Sequence, residues 1–296
     1  MSFDLYFAGC SPKYGATKFL FSQYLNRNLI NNLRPTLSKS DTKMFLDCGA
    51  WTAHTKGITI DIDEYVNYIN CNDEIISCVA ALDVIPGIPG YVTYKDCIEA
   101  ADKSFSNFVY MRHKVRDVDK LLPTFHQGES FDSLVKLLDY QDDFGKIEYL
   151  GIGAMAATLD KKQRQSFMSK CFSLILKKSP ELKVHAFGMT DLDLLEQFPF
   201  YSADSSTWAL AGAMGEIITD FGRIAVSNRK THDTKYYLHN PELRNRVNNY
   251  VSGFGFNLSD LEESAEFRKK FNVAYLKNWE KSYVCKYRPS SSHRLF

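Results

Sequence analysis

Three aspartates in this chain each follow a short apolar run: Asp47 after Met44-Phe45-Leu46, Asp83 after Cys78-Val79-Ala80-Ala81-Leu82, and Asp204 after Tyr201-Ser202-Ala203. Other runs end in His126-Gln127-Gly128-Glu129, Gly151-Ile152-Gly153-Ala154-Met155 and His185-Ala186-Phe187-Gly188-Met189-Thr190. Brought to one mouth, three carboxylates repel one another unless a cation or a donor-rich ligand answers them. Two chemistries fit. In divalent-metal hydrolysis, carboxylates and histidines are ligands. In glycosyl transfer, one carboxylate is a nucleophile and a second moves protons. The metal reading prefers a His-x-His pair, and His113, His126 and His185 supply none. Gly128, Gly151, Gly153 and Gly188 remove side chains where a flat ligand could lie on the backbone. Tight packing, or turns that need positive φ, explain any one of these glycines equally well.

Elements must place these residues. The runs Leu5–Ala8, Met44–Leu46, Cys78–Leu82, Leu122–Phe125, Tyr149–Ile152, Val184–Phe187, Tyr201–Ala203 and Arg223–Val226 read as eight strands buried on both faces. Helical patterns lie between them: Lys18 to Leu33, Asp63 to Ile69, Tyr94 to Phe105, Phe131 to Tyr140 and Lys161 to Leu176. Strands alternating with helices predict a (β/α)8 TIM barrel over residues 1–235, with a doubly wound sheet as the other option. Its reactive groups belong at the C-terminal strand ends. Pro241 to Val251 and Leu258 to Val284 read as helices without strands, a C-terminal extension over 236–296 packed on the barrel. Arg268, Lys269, Lys270, Lys277, Lys281, Lys286, Arg288 and Arg294 make it basic, as a solvated face or a phosphate-contacting surface.

Composition sets the bounds. The chain has 296 residues, 36 Lys+Arg against 35 Asp+Glu, and 45% hydrophobic residues, so it is neither disordered nor strongly basic. No apolar run reaches the roughly 18 residues of a membrane helix, so no membrane is expected. Met1-Ser2-Phe3-Asp4-Leu5 has no basic stretch before its apolar one, so no signal peptide is expected either. Seven scattered cysteines without a CxxC pair suggest reduced thiols and no local zinc site. The expected location is the cytoplasm, or the host cytoplasm if the chain is phage-encoded.

The ordered set Asp47-Cys48-Gly49-Ala50, Asp83, Gln127-Gly128, Gly151-Ile152-Gly153 and Tyr201-Ser202-Ala203-Asp204-Ser205-Ser206-Thr207-Trp208 resembles the tRNA-guanine transglycosylase superfamily. It is most similar to the phage and DNA-modifying branch, the DpdA-like proteins that insert 7-deazaguanine bases into DNA. The resemblance spans roughly residues 4 to 230, and its most specific pieces are His126-Gln127-Gly128-Glu129 and the Ser-x-Asp-Ser-Ser-Thr-Trp run. It implies a pentosyltransferase that replaces guanine in DNA with a base such as preQ0. Asp204 resembles the nucleophile that attacks the sugar C1′ and holds a covalent glycosyl intermediate. Asp47 resembles the carboxylate that takes a proton from the incoming base. Asp83 and Gln127 resemble the residues that read the base edge, and Gly151 and Gly153 lie where the family offers backbone contacts. His126 and Trp208 join the expected base-binding set. Arg229 and Lys230, after the eighth run, lie where barrels bind phosphate.

The chain departs from the tRNA enzymes in its second strand end, Asp-Cys-Gly-Ala-Trp rather than Asp-Ser-Gly-Gly-Phe. It also lacks their zinc-binding cysteine cluster, which Cys285 and His293 cannot replace. That favours DNA over tRNA, and no metal, redox cofactor or ATP is expected. A base inside a duplex is out of reach, so the target is flipped or single-stranded, or a helper protein opens it. Rival readings are the same exchange on tRNA, a metal-dependent TIM-barrel hydrolase, and a non-catalytic binder of a modified base. Plainer roles exist for each residue: Asp47 and Asp204 as helix caps, Asp83 as a turn residue, His126 and His185 as structural histidines, Trp51 and Trp208 as core aromatics.

Overall fold

The computed structural model of the chain describes residues 3–88, 91–153, 160–189, 191–228, 237 and 239–287. Its strands are β1 (Asp4–Ala8), β2 (Lys18–Ser22), β3 (Lys43–Asp47), β4 (Cys78–Ala80), β5 (Leu121–Leu122), β6 (Thr124–His126), the small hairpin β7 (Gln141–Asp142) and β8 (Gly145–Lys146), β9 (Tyr149–Gly153), β10 (Lys183–Ala186), β11 (Ser202–Ser205), β12 (Glu216–Thr219) and β13 (Gly222–Ala225). Between them run α1 (Gln23–Leu37), α2 (Ala50–Thr55), α3 (Ile62–Cys71), α4 (Tyr94–Arg112), α5 (Phe131–Asp139), α6 (Lys161–Lys178), α7 (Leu192–Gln197) and α8 (Thr207–Met214). Helices α9 (Pro241–Ser252), α10 (Leu258–Glu263) and α11 (Ala265–Ser282) follow.

Nine strands form one sheet in the order β5-β4-β3-β2-β1-β11-β10-β9-β6. Its two ends, β5 and β6, are successive pieces of one run broken at Pro123, which has no N–H for a ladder. Ala81 N–H donates to the Leu122 carbonyl at 2.8 Å and Gly151 N–H to the Pro123 carbonyl at 2.8 Å. That run therefore bonds to both neighbours and rolls the sheet into a nearly closed α/β barrel. Side chains alternate accordingly. Leu5 and Phe7 of β1 join the large core beneath the helices, whereas Tyr6 joins Leu20, Phe45, Leu122 and Tyr149 in the cluster that fills the barrel. Burial on both faces is why these strands read as unbroken apolar runs.

Two expected barrel elements change. Lys18 to Ser22 is strand β2, not the start of a helix, with Phe19 and Phe21 facing the outer core and Leu20 the interior. Strand and helix abut without a turn: the Ser22 hydroxyl accepts from Leu25 N–H at 3.4 Å and caps α1. Arg223 to Val226, expected as the eighth barrel strand, instead pairs antiparallel with β12 in a separate hairpin.

No α-helix follows β1; a short turn at Pro12–Tyr14 leads straight to β2. Helix α11 covers the exposed wall instead. Phe3 stacks on Tyr283 at 4.3 Å and meets Trp279 edge-on at 5.6 Å. Glu280 accepts from Leu5 N–H at 2.5 Å and from Lys18 at 2.7 Å, and Lys18 and Lys43 each pair with the buried Asp4 at 2.6 Å. The expected long helix breaks at Ser264 into α10 and α11. Its charges are not a uniform solvated or phosphate-facing surface. Arg268 is buried and donates to the Gly212 carbonyl at 2.9 Å and the Leu261 carbonyl at 2.7 Å, and Lys277 donates to the Gly15 carbonyl at 2.5 Å. No helix of the described residues is long and apolar enough to cross a membrane.

Candidate active site at the strand ends

Asp47 closes β3, Asp83 follows β4, His126 closes β6 and Asp204 lies in β11, so all four stand at the C-terminal end of the barrel. Local sequence sets their geometry. Gly49 adopts φ +84, and a Cβ there would meet Ser22 Oγ at 2.7 Å and Tyr24 Cβ at 2.8 Å, so only glycine fits. The turn lets Gly49 N–H donate to Asp47 Oδ2 at 3.0 Å. Gly188, at φ +63, donates its N–H to Asp204 Oδ1 at 2.8 Å.

Asp83 is gripped from both sides. The Cys48 thiol donates to its Oδ1 at 2.8 Å, and His126 Nε2 lies 2.9 Å from its Oδ2. His126 Nδ1 lies 2.8 Å from Glu129 Oε1. Burial opposes a charge on this imidazole, but its hydrogen bonds to Asp83 and Glu129 push it up to about 10. His126 is therefore an imidazolium at neutral pH, both N–H groups donating to carboxylates. Burial alone would raise Asp83; the hydrogen bond and charge of His126, with the Cys48 thiol, hold it below its ordinary value. Asp47 behaves oppositely. Burial, then the charges of Asp83 and Asp204, push its carboxyl up to about 7, against the N–H groups of Gly49 and Cys48. One end of the barrel thus holds a fixed anion at Asp83 and a carboxyl at Asp47 that gives or takes a proton near neutrality.

Several expected roles shift. His126 spends both donors on Asp83 and Glu129, so it holds the carboxylate rather than a base. Trp208 is 3% exposed, donates its indole N–H to the Ala8 carbonyl at 3.3 Å and packs on Tyr14 at 5.1 Å, so it is a core aromatic with no face for a base. Trp51 is 65% exposed on α2, contrary to a core role. Gly151 and Gly153 are packing glycines: a Cβ would meet Phe187 at 2.4 Å in the first and His126 at 2.9 Å in the second. Gly151 N–H and the Gly153 carbonyl are already bonded, to Pro123 and Gln127. Gln127 stands beside His126 with its Oε1 shut from solvent and unpartnered, an acceptor in want of a donor. Arg229 and Lys230 lie outside the described residues.

Cys48, Glu129 and Gly188 were visible in the motifs, but nothing in their spacing gave them these contacts. Ser202 and Tyr149, which meet beneath Asp204, carried no signal beyond a strand's two-residue alternation. Among the described residues, no group of three or more His, Cys, Asp or Glu stands where it could share a metal ion. The molecule is thus an α/β barrel with an acidic, strand-end site. No protein-family model matches the chain, and no curated protein matches its sequence.

Proposed function

We propose that the chain is a base-exchanging transglycosylase that replaces guanine in DNA with a 7-deazaguanine base such as preQ0. On this reading the barrel is a (β/α)8 barrel in which β5 and β6 count as one stave. The observation that carries the reading is the convergence of Asp47, Asp83 and Asp204 at one barrel end, where burial first and then the charges of the last two push the Asp47 carboxyl up to about 7. Displacing a purine builds positive charge at C1′, which a carboxylate opposite the base stabilises and then traps. Asp204 attacks C1′ as the C1′–N9 bond breaks, and Asp47 gives its proton to the departing N9. The incoming base returns a proton from its own N9 to Asp47 as N9 attacks C1′ and frees Asp204. Two displacements retain configuration. A carboxyl titrating near 7 suits both proton transfers, because neither form is scarce at neutral pH. Asp83, held anionic, accepts from the N–H edge of the guanine-like base, and the orphaned Gln127 Oε1 supplies a second acceptor.

The test is incorporation of radiolabelled preQ0 or guanine into guanine-containing DNA and, separately, tRNA, with Asp204→Ala alongside. Label entering DNA and absent from the variant supports the reading. Label entering only tRNA moves the substrate to RNA. A folded protein that labels neither, with a divalent ion held tightly per chain, points to the hydrolase.

A further inference from the structure

We infer that Tyr149, Ser202 and His185 form a buried hydrogen-bond chain of fixed polarity that aims the His185 Nε2–H at Asp204 Oδ1, leaving Oδ2 as the attacking oxygen. This rests on the proposed role of Asp204. The chain runs through the filled interior of the barrel. His185 is fully buried, its ring 4.4 Å from Phe187, 4.5 Å from Phe45 and 6.2 Å from Tyr6. Its Nδ1 lies 2.6 Å from Ser202 Oγ, and Ser202 Oγ in turn meets the Tyr149 hydroxyl. Register explains the meeting: His185 pairs with Ser202 across β10 and β11, and Asp204 follows two residues on, on the same face.

Polarity follows from counting hydrogens. Among the described residues the Tyr149 hydroxyl has no hydrogen-bond partner but Ser202. Buried phenols do not leave their hydrogen unmade, so Tyr149 donates to Ser202 Oγ. Ser202 has one hydrogen left, and it goes to His185 Nδ1. Nδ1 is then the acceptor, and the proton of the neutral ring sits on Nε2. Burial supports the neutral form by holding the imidazole below its ordinary value. Nε2 lies 3.4 Å from Asp204 Oδ1 and makes no hydrogen bond there in the resting protein. Gly188 N–H donates to that same Oδ1. Among the described residues no donor meets Oδ2. The two oxygens of Asp204 are thereby distinguished: Oδ1 faces two donors and Oδ2 is bare.

The distinction matters most in the second displacement. Once Oδ2 is esterified to C1′, Oδ1 is the carbonyl oxygen, and negative charge returns to the carboxylate as the new base attacks. A donor held beside Oδ1 stabilises that leaving carboxylate once the pair closes from 3.4 Å to hydrogen-bond distance. His185, Ser202 and Tyr149 are therefore positioning residues. Ser202 and Tyr149 act through His185, and His185 faces only Oδ1, the oxygen that forms no bond to C1′.

Two measurements on the full chain test this. The first is ¹⁵N NMR of histidine-labelled protein, with the His185 signal assigned through His185→Gln. We expect a neutral ring protonated on Nε2. Ser202→Thr keeps that tautomer because it keeps the hydroxyl, and Tyr149→Phe mixes the two tautomers because the polarity is no longer forced. A ring protonated on Nδ1, an imidazolium at pH 7, or no response to Tyr149→Phe overturns the inference. The second is exchange kinetics. Ser202→Ala lowers kcat about ten- to a hundredfold, the scale of a hydrogen bond to a charged group. The KM for the free base stays unchanged, and covalently bound DNA accumulates relative to wild type. A change in KM alone overturns it. If wild type exchanges no base at all, the proposed function fails, while the tautomer experiment still decides the polarity of the chain.

Discussion

Replacing Asp47 by asparagine separates stability from activity in opposite directions. Asp47 carries a carboxyl raised from 3.8 to about 7 in the folded protein, first by burial and then by the charges of Asp83 and Asp204. Between those two pH values the folded chain binds a proton that the unfolded chain does not. Wild-type stability therefore falls as pH rises across that window and levels off above about 7. Roughly three pH units at 1.36 kcal/mol each come to about 4 kcal/mol. Asparagine mimics the protonated side chain, keeps an oxygen for the Gly49 N–H, and carries no charge to bury. Asp47→Asn should thus be more stable than wild type by about 1.5 kcal/mol at pH 5, widening to about 4 kcal/mol at pH 8. The assay is urea unfolding at pH 5, 6, 7 and 8, read as a shift in midpoint at constant slope. On the proposed function the variant should exchange no base at any of these pH values. A stability gap that stays flat with pH, or a variant less stable than wild type at pH 8, refutes the assignment of a strained, proton-exchanging Asp47.

Other outcomes follow from the same geometry. If the proposed function holds, base exchange should peak near pH 7 and fall on both sides, because Asp47 would give one proton and take another; a pH–rate profile that climbs steadily to pH 9 contradicts this. Glu129→Gln removes one of the two carboxylates that hold His126 as an imidazolium, so Asp83 loses support, and the KM for the free base should rise about tenfold with a smaller change in kcat. Trp208→Ala should cost about 3–5 kcal/mol in thermal or chemical unfolding, whereas Trp208→Phe should leave the KM for the base unchanged, since the indole is packed in the core.

The sequence made the barrel legible through its short apolar runs, because strands covered on both faces have no polar side to show. It made the three aspartates legible through their place after those runs. It misled where periodicity is weakest. Lys18 to Ser22 carries too few residues to separate a two-residue alternation from a helical one, and α1 starts with no turn to mark the boundary. Arg223 to Val226 has the composition of a strand, but composition does not say which sheet a strand joins. The Trp208 indole shows the same limit: an aromatic near an aspartate is a stacking surface or a core residue according to what covers it.

What the sequence determined by itself is the inventory: which strands exist, for the most part, and which carboxylates end them. What only the tertiary structure decided is how those residues differ from one another. Asp47, Asp83 and Asp204 are the same side chain in similar settings along the chain. In the folded molecule, one is lifted by burial and by two neighbouring charges, one is held down between a thiol and an imidazolium, and one has a single oxygen facing donors. Those differences come from residues 35 to 43 positions away, Cys48 and His126 on Asp83, and from strand register across the barrel. Electrostatic coupling depends on distance in space and on the medium between the groups, and barrel closure sets both.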